Sequence, residues 1–277
     1  MKIYLLVASR LIFMLGFCAQ ASAQNPSPYP EWTFSAGVPL FPTFMDKVPT
    51  WNISAGISYE QISRYPGASR SKPVVGPIVE VRYKDIAFAS TAEGLGINFV
   101  STKSYRAGVA ITYDLGRNED ADARLAGLGS IHPTAELKLY GEYVFFPVVL
   151  RGDVRQAFSG YGGMLMDLNV YMPVYGSKDQ TFFVMAGPSI TFQDSKAAKA
   201  YFGVSPAQSA SSGLPVFHAS AGVRSESFGI NLTQLFGPHW FLNGTFAAEY
   251  FANKVAASPI VLKRSDGVAS VTLGYNF

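Results

Sequence analysis

Three groups of residues in this chain carry side chains capable of chemistry, and each places a different demand on the fold. His218 and Ser220 flank Ala219, and on a strand they would share one face, because alternate side chains point the same way. An imidazole beside a hydroxyl is the pairing of a general base with a nucleophile. Outer-membrane lipid hydrolases need such a pair to face the lipid. Here Phe217, Ala219, Ala221 and Val223 would form the apolar face, turning His218 and Ser220 towards a lumen. The second group, Glu119, Asp120 and Asp122, suggests calcium, but its spacing has no Gly at the sixth loop position and no closing bidentate Glu. Arg117 and Arg124 also neutralise much of its charge, so the stretch reads as a solvated loop. His132, His218 and His239 are too dispersed to assign a metal site. No residue is assigned to catalysis, to a cofactor or to a metal.

The third group is made of charges set within apolar segments: Glu80, Arg82, Arg106, Glu136, Lys138, Glu142 and Asp167. Each lies in a stretch where apolar and polar residues alternate with period two, the signature of a strand with two unlike faces. Trp51–Glu60 is a clear case, with Trp51, Ile53, Ala55, Ile57 and Tyr59 opposing Asn52, Ser54, Gly56, Ser58 and Glu60. The same pattern predicts strands over Val79–Lys84, Ile86–Thr91, Leu95–Phe99, Tyr105–Asp114, Leu137–Phe146, Val154–Ser159 and Met164–Met172. It continues over Phe182–Phe192, Val216–Arg224, Phe228–Phe236, Trp240–Tyr250 and Gly267–Phe277, with Glu31–Leu40 as a first candidate. Lys84-Asp85 and Arg151-Gly152-Asp153 read as turns. Tyr65–Pro73, Gly116–Pro133 and Gln193–Gly213 read as loops.

What lies outside these strands follows from composition. The 277 residues include 26 Gly, 21 Phe and 15 Tyr, and Trp51, Tyr59, Tyr105, Tyr113, Trp240 and Tyr250 stand at the ends of apolar faces. That placement suits the aromatic girdles of a membrane barrel better than a dry core. Beyond the start of the chain there is no apolar run of about 20 residues, so helical spans are excluded. Only a closed barrel can then cross a bilayer without leaving backbone groups unpaired. Lys2, the apolar stretch Leu11–Cys18 and Ala21-Ser22-Ala23 form an export signal over 1–23, with Arg10 as an irregularity. Cys18 follows Phe17, which does not fit a lipoprotein signal. Residues 24–277 then contain no cysteine, which excludes disulfides and thiolate chemistry. The formal charge of +3 falls further when Lys2 and Arg10 leave with the signal, which speaks against nucleic acid as a partner. The expectation is an all-β, antiparallel transmembrane β-barrel of about 12 strands over 24–277, with 10 or 14 also fitting. It would lie in the outer membrane in contact with lipid.

Gly267–Phe277 resembles the closing strand of bacterial outer-membrane barrels. That likeness makes Tyr275 and Phe277 part of the signal read by the barrel assembly machinery. Leu115–Gly129, which holds Gly116-Arg117-Asn118-Glu119-Asp120, Tyr201-Phe202-Gly203-Val204-Ser205 with Ser212-Gly213, and Ser258-Pro259-Ile260-Val261 together resemble the MipA/OmpV family of MltA-interacting outer-membrane proteins. The resemblance implies a non-enzymatic barrel, and a scaffold joining a lytic transglycosylase to a murein synthase. A small-solute channel is the alternative, with a lipid hydrolase behind it. Counting crossings back from a periplasmic Phe277 puts both long loops in the periplasm. Arg117, Glu119, Asp120, Asp122, Tyr201, Phe202 and Gly203 are therefore the expected partner contacts. One miscounted strand would move both loops outside.

Overall fold

The computed structural model of the protein describes residues 49–277 apart from 146. The export signal and the candidate strand Glu31–Leu40 lie outside the described residues. Twelve strands run through the described part: β1 (Trp51–Ser63), β2 (Ser71–Tyr83), β3 (Ala87–Ser90), β4 (Gly94–Ser101), β5 (Tyr105–Asp114), β6 (Thr134–Phe145), β7 (Val148–Ala157), β8 (Met164–Gly176), β9 (Phe182–Gln193), β10 (Gly222–Phe236), β11 (Trp240–Phe251) and β12 (Ser265–Asn276). Each pairs antiparallel with its sequence neighbour, and β1 seals against β12, so the sheet closes into a barrel. No helix among the described residues is long and apolar enough to cross a membrane.

The alternation decides which face is which. Ile57, Leu95, Ile111, Leu139, Phe228, Phe246, Val271 and Leu273 are exposed on the outside, while Ser58, Thr112, Lys138, Asn231, Thr245, Ser270 and Thr272 are buried inside. A sheet with an apolar exterior and a polar interior is inverted relative to a soluble protein and matches a bilayer as solvent. Closure requires the backbones of β1 and β12 to approach closely at Gly56. A Cβ there would stand 2.4 Å from the carbonyl oxygen of Leu273.

Turn chemistry sets the two rims apart. The connections after β2, β4, β6, β8 and β10 have two to five residues and share the rim of Phe277. Lys84 and Asp85 both adopt left-handed backbone (φ 49° and 55°), as a two-residue reversal between twisted strands requires. The long connections 115–133, 194–221 and 252–264 share the opposite rim.

Two expectations from the sequence are corrected. Arg151-Gly152-Asp153 is not a turn. It lies in the middle of β7, where Arg151 and Asp153 point inwards and Gly152 points outwards. A lumen accepts the charges that would break a strand in a dry core. Val216–Arg224 is not a separate strand either: β10 starts at Gly222, and 216–221 belongs to the preceding loop. The count back from Phe277 therefore loses one crossing, and both long loops move to the rim opposite Phe277.

Candidate functional site

The long loops fold into a cap over one end of the barrel. In the connection 194–221, α1 (Ser195–Phe202) starts where the Asp194 carboxylate accepts from the Ala197 amide at 2.8 Å. Next comes α2 (Pro206–Ser212), capped by a reciprocal pair between Ser205 and Gln208 and ended by left-handed Gly213. Tyr201 and Phe202 turn down into a cluster with Tyr161, Leu165, Phe251 and Val255. Val204 joins Tyr65, Leu125, Leu128, Leu214 and Ile260 in a second cluster. Apolar residues thus form a small dry core at one rim, above a polar lumen.

Polar bonds tie this cap together. Arg117 donates from Nη1 to the Tyr201 carbonyl at 3.0 Å, and the Tyr201 hydroxyl donates to Asp114 Oδ2 at 2.7 Å. Ser258 Oγ donates to the Phe202 carbonyl at 2.6 Å. Arg124 Nε donates to the Pro259 carbonyl at 2.8 Å, and the Tyr65 hydroxyl donates to the Ile260 carbonyl at 3.2 Å. Burial, reinforced by Asp122, pushes the Tyr65 phenol up to about 12. Burial and then Asp114 hold Tyr201 well above the usual tyrosine range. Both phenols therefore remain neutral donors at physiological pH. Burial also lowers the Arg117 guanidinium from its ordinary value.

Below the cap, charges pair both along and across the strands. Arg106 donates from Nη1 to Glu142 Oε1 at 2.8 Å and contacts Asp85 Oδ2 at 2.9 Å. Arg82 lies 2.5 Å from Glu80 and 3.6 Å from Glu93, and Arg151 reaches Glu93 at 3.4 Å. Nearer the cap, Arg155 contacts Asp153 at 3.1 Å and also pairs with Asp167, which accepts from Thr191 Oγ1 at 2.5 Å. The facing arc is mostly uncharged at mid-height, where Glu60 accepts from Ser58 Oγ at 3.4 Å. There Asn231, Thr233, Asn243 and Thr245 form one hydrogen-bonded patch, and Thr272 Oγ1 donates to Ser58 Oγ at 2.9 Å. Arg224 lies fully buried beneath α1, its guanidinium carbon 4.7 Å from the Phe202 ring centre and 5.2 Å from that of Tyr201. Such an arrangement can fill, seal and stiffen a lumen, and it can also set up a field across one.

The family model described as MltA-interacting protein MipA matches residues 53–277, from the start of β1 to the end of β12. The chain belongs to that family. No curated protein matches this MipA-family chain. Among solved structures it is similar to a bacterial polysaccharide outer membrane secretin, at 9% identity and a TM-score of 0.44 over 81% of this chain and 97% of that one. The NanC porin shows 7% identity and a TM-score of 0.42 over 82% and 100%. OmpF of Salmonella typhi in complex with daunomycin shows 8% identity and a TM-score of 0.38 over 82% and 97%.

All three stretches that carried the family resemblance meet in the cap. Arg117, Tyr201, Phe202 and Gly203 come together there as buried structural residues, which removes them from any exposed contact surface. A Cβ on Gly203 would stand 2.6 Å from the Lys199 carbonyl oxygen, which explains the glycine. Glu119, Asp120 and Asp122 stay at the surface, where Asn118 and Asp122 cap two short 3-10 turns and Glu119 accepts from the Gly127 amide at 2.9 Å. The seven lumen charges named from the sequence are all buried inside the barrel. His218 and Ser220 are not in the lumen, however. Both are exposed in the loop before β10. Sequence reasoning missed Asp85, Glu93, Arg151, Asp153, Arg155 and Arg224. Of these, Arg155 and Arg224 were legible as inward positions once the strand bounds are right, whereas Asp85 and Glu93 sit in turns that fold back into the lumen.

Proposed function

We propose that this MipA-family chain is a non-enzymatic outer-membrane barrel that acts as a rigid scaffold for murein synthesis and turnover enzymes. The observation that carries this reading is the filled interior: a packed cap over one rim, with paired charges beneath it. A barrel built to stay closed serves better as a fixed support than as an open pore. The family description, an MltA-interacting protein, supports a lytic transglycosylase as one partner, and the resemblance adds a murein synthase as another. The export signal over 1–23 and assembly through Tyr275 and Phe277 belong to the same reading. With Phe277 at the periplasmic rim, the murein partner would meet the short-turn rim, and the acidic loop with Glu119, Asp120 and Asp122 would face outwards.

A small-solute channel is the second reading. The observation favouring it is the segregation of the lumen into an arginine-rich arc and an arc of Asn, Thr and Ser that carries Glu60 and no arginine at mid-height, which would orient a charged solute in transit. Two measurements separate the readings. The scaffold predicts little conductance in planar bilayers, together with a crosslinked lytic transglycosylase recovered from cell envelopes. Discrete conductance whose ion preference shifts in Arg106→Gln or Glu142→Gln, without any murein enzyme in the crosslinked fraction, would overturn it in favour of the channel.

A further inference from the structure

Two neighbouring connections at the cap rim carry cations and no carboxylate. The connection 64–70 holds Arg64 and Arg70, and 252–264 holds Lys254, Lys263 and Arg264, with no Asp or Glu in either. Barrel closure makes them adjacent, because β1 pairs with β2 on one side and with β12 on the other. Gly67, in left-handed backbone (φ 85°), accepts through its carbonyl from the amides of Leu262 at 2.8 Å and Lys263 at 3.0 Å. Asp266, just beyond Arg264, is buried and accepts from Ser63 Oγ and from the Gly67 amide at 2.9 Å. Arg64 is drawn towards the acidic loop, where its Nη1 donates to the Ala121 carbonyl at 3.3 Å. Arg70, Lys254, Lys263 and Arg264 remain exposed, and none of them makes an ion pair among the described residues.

Two features put these cations at the level of lipid headgroups. Arg264 lies on the lipid-facing wall, its guanidinium carbon 4.3 Å from the ring centre of outward-facing Tyr250, with Nε donating to the Phe251 carbonyl at 3.1 Å. Exposed Tyr250 suits the aromatic girdle, where acyl chains give way to headgroups. Leu262, immediately before Lys263, is exposed as well. An apolar side chain beside two cations fits an interface, where basic residues bury their stems and keep their heads wet. Below the cations the outer wall is lined by small residues. Ala248 faces Gly267 across β11 and β12, with Ala269 next along β12. Tyr250 and Phe246 stand on one side of this groove, and Gln61 and Tyr59 of β1 on the other. Glu226 faces outwards on β10, opposite Tyr250, and makes no ion pair with Arg264 among the described residues.

We infer that Arg70, Lys254, Lys263 and Arg264 bind the phosphates of lipid A, whose acyl chains lie along the groove over β11, β12 and β1. Lipid A sets phosphates on a disaccharide that carries several acyl chains, which matches spread cations above a broad apolar wall. The guanidinium forks take phosphate oxygens in pairs, and the lysines act as point charges. A phospholipid with a lone phosphate would occupy only part of the patch. The choice of lipid A rests on the orientation with Phe277 in the periplasm, which sets the cap rim in the outer leaflet.

The mature barrel in detergent is titrated with diphosphoryl lipid A, and bound lipid is counted by native mass spectrometry. Lys263→Gln combined with Arg264→Gln is expected to weaken binding by at least about tenfold, as the loss of two cations from a phosphate contact requires. Lys103→Gln combined with Lys178→Gln, in exposed turns of the opposite rim, is expected to leave it unchanged. Lipid A stripped of its phosphates should not be retained, and diphosphoryl lipid A should displace phosphatidylglycerol. Undiminished binding by the Lys263 and Arg264 variant overturns the inference, as does an equal loss in both double variants. Equal retention of phosphate-free lipid A or of phosphatidylglycerol overturns it too. Heat-modifiable gel mobility verifies folding, and Arg70→Gln with Lys254→Gln replaces the first pair if that variant does not fold. The titration reads binding whichever way the barrel faces, so a wrong orientation would show only in thiol labelling of intact cells. A missing murein partner would not alter it.

Discussion

Arg106 shows how single residues hold the interior. Its guanidinium serves Glu142, its direct cross-strand partner, and Asp85 in the turn after β2, with all three side chains nearly excluded from solvent. Desolvating three charges is costly, and the attraction between them offsets that cost only while every member has its partner. Arg106→Ala takes the shared cation from Asp85 and Glu142, with Arg151 3.9 Å from Glu142, and is expected to destabilise the barrel by about 3–5 kcal/mol in denaturant unfolding from lipid vesicles. An unfolding midpoint equal to that of the unmodified protein would show that Arg151, Asn98 and Ser101 suffice for Glu142 and Asp85 without Arg106. Arg106 and Glu142 are legible in the sequence as inward positions. Asp85 is not, because period two says nothing about where a turn residue aims its side chain.

The cap is the element whose presence the sequence concealed most fully. Its residues come from five separate connections, and no helix in it exceeds eight residues, so periodicity carries no signal for it. What the sequence did contain was three motifs without an evident common purpose, and Arg117–Tyr201, Ser258–Phe202 and Arg124–Pro259 supply that purpose. Tyr65 makes the cap sensitive to alkali. Its phenol ionises near 10 when free and only at about 12 in the folded cap. The stabilisation is complete below pH 10 and falls as pH rises towards 12, because ionisation then favours the open cap. Protease cleavage within 194–221, followed from pH 8 to 12, is expected to accelerate above pH 10, and less steeply in Tyr65→Phe. A profile with the same slope in both proteins would remove Tyr65 from this role.

For the whole molecule, the decisive property is which rim faces which compartment. The short turns and Phe277 share one rim and the cap occupies the other. With Phe277 at the periplasmic rim, Asp120→Cys and Ser205→Cys should both react with an impermeant thiol reagent on intact cells. Cysteine at Lys178, in the turn after β8, should react only after the outer membrane is opened. The reverse pattern would turn the barrel over and return the acidic loop to the periplasm.

The sequence by itself determined the barrel, its antiparallel order, the count of about 12 strands and the inward side for Glu80, Arg82, Arg106, Glu136, Lys138, Glu142 and Asp167. All of these follow from a period of two read one strand at a time, under the rule that lipid tolerates no unpaired backbone. Only the tertiary structure decided that Arg151-Gly152-Asp153 lies within β7, that Val216 to Ala221 is loop, and that the β3–β4 hairpin stops short of its neighbours. Strand ends depend on where the partner stops pairing, and a partner in a closed sheet is chosen by the register of the whole ring. The cap was beyond reach for the same reason. Tyr201 and Phe202 are buried only because Arg117 and Asp114 reach the first and Ser258 the second, from 56 to 87 positions away in the chain, at the same rim.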